Sequence, residues 1–441
     1  MKSLAGPGIL PLGFAEDAPF TVRAGQPLDA GAFRRDAARV RLRHPRVVNL
    51  CADRHAFLAV LAAALSGGRT TLLPSSAAAA AETVAAYGRC DVLDDDVLAG
   101  GTSVAADSPG LPRDDFTAVI GHTSGSTGRP AAHRKTWSSL QATTALNAAA
   151  IRAWLAPDAG CPWIVATVPS QHMYGMELAG LLPLLAGFAI HAGHPLFPAD
   201  IAAALSQVPA PRVLVTTPVH LRSLLQSGIT LPPVAVTVSA TSPLHSELAR
   251  EVESRFGTRL LEMFGSTETC VFATRRTATE STWAPYPGVC LAPGEGCTLV
   301  SAPWLDGALP LQDLLAVGED GRFAVVGRNT DLVDVAGKRA SLADLTRRIA
   351  GLQGVEDALV LQPDEPDGLG VRRVAALVVA PGMDPPGLLE ALRPMLDPAF
   401  LPRPLVIVEA LPRNAVGKIP RSEALRLLRE HAPQPGQPDP T

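Results

Sequence analysis

Thr123-Ser124-Gly125-Ser126-Thr127-Gly128-Arg129-Pro130 follows an apolar run, Phe116 to Gly121, and leads towards a helical pattern, Thr136 to Ala153. Glycines let the backbone turn tightly and come close to a ligand. Hydroxyls and main-chain N–H groups in unbroken order can nest a phosphate. A strand, this loop and then a helix predict an α/β fold with a mostly parallel sheet. A polar hairpin loop is the alternative use of the same residue types. A Walker A loop is excluded, because Arg134 stands before Lys135-Thr136 where glycine is required.

Outward from the loop the alternation continues. Strands are predicted at Trp163 to Val168, Phe188 to Ala192, Arg212 to Thr217 and Val234 to Ala240. Helices are predicted at Met173 to Ala186, where Pro183 introduces a kink, at Pro198 to Val208 and at Val219 to Ser227. A further helix runs to Phe256, with Ser242 as its cap, Pro243 at its first position and Gly257 at its end. Upstream, Arg46 to Cys51 and Thr70 to Leu73 read as strands around a helix at Ala56 to Leu65. Downstream of Gly327, strands at Ala358 to Gln362, Arg373 to Val379 and Leu405 to Glu409 mix with helices at Gly387 to Leu396 and Ser422 to His431. The expected organisation is a large multi-layer α/β domain with mostly parallel sheets over 1–328 and a small mobile α+β domain over 329–431. Residues 432–441 carry four prolines and read as a disordered tail.

Composition bounds the function. The 441 residues are 47% hydrophobic and 18% charged, which fits a globular chain rather than a disordered one. The formal net charge of −4 argues against a nucleic-acid partner. The apolar run Ala56 to Leu65 is too short for a bilayer and Pro183 interrupts Leu178 to Ile190, so no stable membrane insertion is expected. The six cysteines are scattered without a CxxC pair, as for reduced, buried thiols in a cytoplasmic protein.

Further motifs follow the loop in order. They are Pro169-Ser170-Gln171-His172-Met173-Tyr174-Gly175-Met176 and Ser239-Ala240-Thr241-Ser242, then Phe264-Gly265-Ser266-Thr267-Glu268 and Leu311-Gln312-Asp313-Leu314. Last come Gly327-Arg328, Gly337-Lys338-Arg339 and Leu411-Pro412-Arg413-Asn414-Ala415-Val416-Gly417-Lys418-Ile419-Pro420-Arg421. Together, over roughly 45–430, they resemble the acyl-adenylate-forming superfamily of acyl- and aryl-CoA synthetases, peptide-synthetase adenylation domains and luciferases.

The resemblance implies Mg2+- and ATP-dependent activation of a small carboxylic acid to an acyl adenylate, then transfer to a phosphopantetheine thiol. Both reactants are anionic, so such chemistry needs orientation and charge neutralisation. On this reading Thr123, Ser124, Gly125, Ser126, Thr127 and Gly128 hold the nucleotide phosphates. Glu268 is the Mg2+ ligand, and Thr267 donates to the α-phosphate. Phe264, with Gly265 and Ser266, lies at the adenine beside Ala240 and Thr241. Asp313 and Arg328 take the ribose, and Lys418 carries the charge for adenylation. His172, Met173, Tyr174, Met176, Ala240, Phe264 and Cys270 line the acyl pocket, with Tyr174 or a main-chain group meeting a ring hydroxyl. The small domain then rotates to bring Gly337 and Arg339 to the thiol, with Thr330 or Asp331 as the hinge.

Ala131 stands where relatives carry a loop lysine, so Arg134 or Lys135 is expected to restore the charge. The His133-Arg134-Lys135-Thr136-Trp137 variant resembles a branch of aryl acid:acyl carrier protein ligases from xanthomonadin and aryl-polyene pigment pathways. That branch implies a hydroxybenzoate-type substrate and an acyl carrier protein partner. The alternatives are a ligase using free CoA, fatty acids included, and an adenylate-binding protein without full activity.

Overall fold

Strands built from Val, Ile, Leu and Ala with few interruptions bury both faces, as parallel strands covered by helices must. In the computed structural model nine strands form one sheet in the order Ala284–Pro285, Cys270–Arg275, Arg259–Ser266, Val236–Ser239, Arg212–Thr216, Trp163–Ala166, Ala189–His191, Pro19–Arg23 and Gln26–Asp29. The six from Arg259–Ser266 to Pro19–Arg23 are parallel; the remaining pairings are antiparallel. A second sheet of five strands runs Asp91–Leu93, Arg46–Asn49, Thr70–Leu73, Thr117–Thr123 and Ala131–Thr136, parallel except for the last pair. The structure describes residues 14–74, 79–99, 112–123, 131–294, 297–328, 332–335, 338–365, 372–413 and 419–431.

The chain forms two units, 1–289 with 301–309, and 290–300 with 310–441. Strands after 290 therefore group with the second unit, ahead of the expected boundary at 328, which stands as a proposal for the hinge. The second unit has a core sheet of Asp357–Leu361, Ala375–Val379 and Leu405–Ile407. Alternation along Ala375–Val379 separates its two faces. Ala376 and Val378 pack with Leu345, Ile349, Leu388 and Leu392 of two helices, whereas Ala375, Leu377 and Val379 pack with Ala424 and Leu428 of helix Arg421–His431.

Two expectations are corrected. The phosphate-type loop does not run into a helix. It joins Thr117–Thr123 to the antiparallel strand Ala131–Thr136, and helix Trp137–Arg152 starts only after it, capped by Thr136. The helix expected from Ser242 begins at Ser246, with His245 at its N-cap, and ends at Gly257 in the left-handed conformation (φ 61°). The helical stretch from Met173 to Leu185 contains a wider π-type turn over Met176–Leu181, just before Pro183. Single π-type turns recur at functional sites. Among the described residues no helix is long and apolar enough to cross a membrane.

Candidate active site

Three segments of the first unit converge. The first is the hairpin of Thr117–Thr123 and Ala131–Thr136, in which Gly121 lies opposite His133 and Ile120 opposite Arg134. Directly opposed residues share a face, and the face alternates along each strand. His133 and Lys135 therefore sit with Gly121, and the exposed Arg134 sits with Ile120 on the other side. Gly121 is buried, and a Cβ there would lie 3.0 Å from the Thr267 methyl and 3.2 Å from the Met173 methyl. The missing side chain brings those two groups together.

The second segment is the hairpin of Arg259–Ser266 and Cys270–Arg275, whose turn carries Thr267 and Glu268. Gly265 is required there, since a Cβ would fall 2.2 Å from the carbonyl oxygen of Cys270. Cys270 itself has φ 60°, a strained value for a non-glycine residue. The Ser266 amide donates to Thr269 Oγ1 (3.0 Å), the Thr269 amide donates to Ser266 Oγ (3.3 Å), and Trp304 Nε1 donates to the Thr269 carbonyl (3.1 Å). Lys135, 5% exposed, donates from Nζ to the Glu268 main-chain carbonyl. Lys135, expected with Arg134 as a replacement for the loop lysine, thus directs its ammonium at the turn; the loop itself, 124–130, lies outside the described residues. Arg134 lies on the opposite face from Gly121 and His133.

The Glu268 carboxylate is 3.5 Å from His133 Nε2, and its side chain remains 35% exposed. Burial works to raise its pKa. A hydrogen bond from Ser266, its own backbone and the charges of His133 and Lys135 outweigh that and hold it below the usual carboxylate range. Burial lowers the His133 imidazole, against the pull of Glu268. Phe264 is half-buried, with its ring centroid 5.3 Å from Phe272 and 5.0 Å from Trp283.

The third segment is His172 to Leu185. Buried Arg54 donates to the carbonyls of Ala166 (2.7 Å) and Val168 (2.8 Å), and so braces the chain entering it. Gly175 is obligatory, because a Cβ would lie 2.0 Å from the Pro169 carbonyl oxygen. His172 occupies the N-cap position, and Met173 reaches Gly121. Tyr174 is buried and donates from its hydroxyl towards the carbonyls of Thr216 (3.2 Å) and Val238 (3.1 Å). Its proton is therefore engaged by main chain, which leaves its oxygen as an acceptor for the ring hydroxyl it was expected to meet. Met176 and Cys270 are buried, and Met176 packs beside Gly180. Ala240 closes the strand end, and Thr241 next to it takes φ 81°, a second strained non-glycine position at the site's edge.

In the second unit, Asp313 lies directly opposite Arg328 on the antiparallel strands Asp313–Val317 and Phe323–Arg328. The two residues expected at a ribose are thus cross-strand neighbours. A Cβ on Gly327 would meet Ser341 Oγ at 2.8 Å. Ser124 to Gly128, Thr330, Asp331, Gly337 and Lys418 lie outside the described residues, as do the side chains of Thr123, Arg328 and Arg339.

Sequence reasoning missed a role for Gly121 and His133 and passed over Glu177, Asn147 and Tyr286. Asn147 Nδ2 and the Val271 amide both donate to Glu177 Oε2 (3.2 Å each), and Tyr286 donates to Asn147 Oδ1 (2.9 Å). The available signal was Glu177 itself, a lone acid opening the apolar run Leu178 to Ile190.

A family model described as AMP-binding enzyme matches residues 32–301. The chain is 30% identical over 315 residues to a 4-coumarate–CoA ligase of Rhodobacter capsulatus, covering 69% of this chain and 76% of that one. It is 28% identical over 312 residues to a 4-coumarate–CoA ligase of Halorhodospira halophila, covering 67% and 73%. Among solved structures, o-succinylbenzoate CoA synthetase of Bacillus subtilis superposes with a TM-score of 0.79 at 16% identity, over 93% of this chain and 96% of that one. ATP-bound MatB of Rhodopseudomonas palustris superposes with a TM-score of 0.76 at 20% identity, over 94% and 97%.

Proposed function

Because the chain belongs to the AMP-binding enzyme family, we propose that it is an acid–thiol ligase using ATP and Mg2+ to make an acyl adenylate from a small aryl carboxylic acid. The observation that carries this is the Thr267–Glu268 turn, pinned above Gly121 with an ionised carboxylate still partly open to solvent. Among the described residues no group of three or more His, Cys, Asp or Glu is placed to hold a metal alone. A single hard oxygen ligand suits Mg2+ carried on nucleotide phosphates, so Glu268 would hold it. Bound there, the ion neutralises phosphate charge.

The protein's own groups orient the reactants. A carboxylate oxygen of the acid attacks the α-phosphorus, and the bond to the β-phosphate breaks and releases pyrophosphate. Thr267 donates to the α-phosphate oxygen, and Lys418 supplies positive charge where the attack concentrates negative charge. Asp313 accepts from the ribose, with Arg328 as its neighbour, and Phe264 with Gly265, Ser266, Ala240 and Thr241 frames the adenine. His172 borders the acid. The thiol sulfur, deprotonated, then attacks the acyl carbon and AMP leaves. Thr330 or Asp331 acts as hinge, and Gly337 and Arg339 serve this second step.

Met173, Tyr174, Ala240 and Phe264 suit a short, flat ring better than an alkyl chain, which needs a tunnel between helices. The burial of Met173, Tyr174 and Ala240 beside the half-buried Phe264 supports an aryl substrate such as a hydroxybenzoate. The acceptor has two readings. The His133 to Trp137 variant favours an acyl carrier protein of a pigment pathway, and the relatives named as CoA ligases favour free CoA. Thioester formation from hydroxybenzoates, 4-coumarate and long-chain fatty acids, each with CoA and with a holo carrier protein, tests both. An aryl acid is expected to outrun every fatty acid. A long-chain preference overturns the substrate reading, and carrier loading without CoA use, or the reverse, decides the acceptor.

A further inference from the structure

Lys135 and Glu177 come from different elements, a strand and a helical turn, yet both reach the same hairpin. Lys135 donates to the carbonyl of Glu268, and Glu177 Oε2 accepts the amide of Val271 (3.2 Å). The first is a main-chain group within the turn and the second lies in the strand that follows it. Regular strand pairing is broken here, with a register shift at Gly265 and a left-handed Cys270, so the Val271 amide needs an acceptor from outside the ladder. We propose that Lys135 and Glu177 are positioning residues that clamp the turn presenting Thr267 and Glu268. The inference rests on the reading of that turn as the nucleotide and Mg2+ contact.

The surroundings support a clamp rather than two isolated charges. Both side chains are buried; burial pushes the Glu177 carboxyl up to about 7, against the Val271 amide, the Asn147 amide and, last, the charge of Lys135. The other titratable groups facing Glu177 are the Cys270 thiol and the Tyr286 phenol, both raised by burial and by Glu177 and so kept neutral. Asn147 delivers its amide to Glu177 and is itself oriented by Tyr286. The two side chains hold separate main-chain groups of one hairpin, Lys135 the Glu268 carbonyl and Glu177 the Val271 amide, so their losses should couple through the turn they share. The Glu177 turn also follows His172 and Met173 directly, which ties the acid-side helix to the nucleotide-side turn.

The test uses Glu177→Leu, Glu177→Gln, Lys135→Met and the Lys135→Met/Glu177→Leu double variant of the full chain. Acid-dependent exchange of pyrophosphate into ATP is measured beside amide hydrogen exchange of the 264–275 peptide without substrates. E177L is expected to lose at least 30-fold in kcat with the KM for the acid within threefold, and to lose protection of the peptide. E177Q, which keeps an acceptor, is expected to restore most of both. The double variant is expected to be less impaired than the product of the single losses. Unchanged protection in folded E177L, or a kcat within threefold of wild type, overturns the clamp. Should E177L fail to fold, K135M carries the same decision. Loss of protection in E177L, with wild type itself showing no pyrophosphate exchange with any acid, would instead indict the ligase reading and leave the clamp standing.

Discussion

Gly121→Ala places a methyl group 3.0 Å from the Thr267 methyl and 3.2 Å from the Met173 methyl. Carbon atoms rest about 3.5–4.0 Å apart. Relief requires one or both neighbours to retreat by roughly 0.5 Å or more on that scale. Met173 can yield, being unbranched and flexible. Thr267 cannot do so freely, because its turn is fixed by Ser266, Thr269, Trp304 and Lys135. Overpacking of this kind costs about 1–3 kcal/mol, and misplacement of a group at the reacting centre by about 1 Å can cost about 10²-fold in rate. G121A is expected to stay folded, with Tm lowered by roughly 2–10 °C, and to lose about 10- to 100-fold in kcat/KM for acid-dependent pyrophosphate exchange. Adding Thr267→Ser removes the crowding methyl and keeps the hydroxyl, so the double variant should recover a large part of the loss. Exchange by G121A within twofold of wild type, or no recovery in the double variant, would refute the argument that this glycine sets the position of Thr267.

Gly175→Ala meets backbone rather than side chain, with the Pro169 carbonyl oxygen at 2.0 Å, so it should be far more damaging to soluble yield and Tm than G121A. Glu177→Gln should alter the pH dependence of stability. The Glu177 carboxyl is raised from 4.5 to about 7, so its stabilising contribution is complete below about 4.5 and is lost as pH rises through about 7. At about 1.4 kcal/mol per pH unit, wild type should lose up to about 3 kcal/mol relative to E177Q between pH 4.5 and pH 8, read by denaturant unfolding; a constant difference across that range would contradict it. Lys418→Ala should reduce adenylation about 10²- to 10³-fold while sparing thioester formation from supplied acyl adenylate; equal losses in both halves would remove its assigned role.

The parallel sheet was legible because its strands are short apolar runs bounded by turn residues, and Gly257 marked its helix end as a left-handed glycine should. Ala131–Thr136 escaped notice for a physical reason. Its inward side chains are His133 and Lys135, which serve a polar hairpin, so no apolar alternation announces the strand. Ser242-Pro243 carries a cap-like sequence, but the chain at Thr241 turns left-handed and the helix waits until Ser246. At the site, motif order singled out Glu268, Thr267, Gly265 and Gly175, and the strand register sets Asp313 opposite Arg328, whose ribose role stands as a proposal. The clamp was illegible because Lys135, Asn147, Glu177 and Tyr286 are far apart in the chain and meet only through tertiary packing.

Joining a carboxylic acid to AMP is reversible and releases pyrophosphate, so the step can be read in isolation. Its most direct measurement is the exchange of labelled pyrophosphate into ATP by the purified protein with Mg2+, with and without a panel of aryl and alkyl acids, beside Glu268→Gln. Label is expected in ATP only when an acid is present, strongest with an aryl acid, with a deep loss in E268Q that saturating Mg2+ does not repair. No acid-dependent exchange with any member of the panel, or an E268Q rate within twofold of wild type, would contradict it.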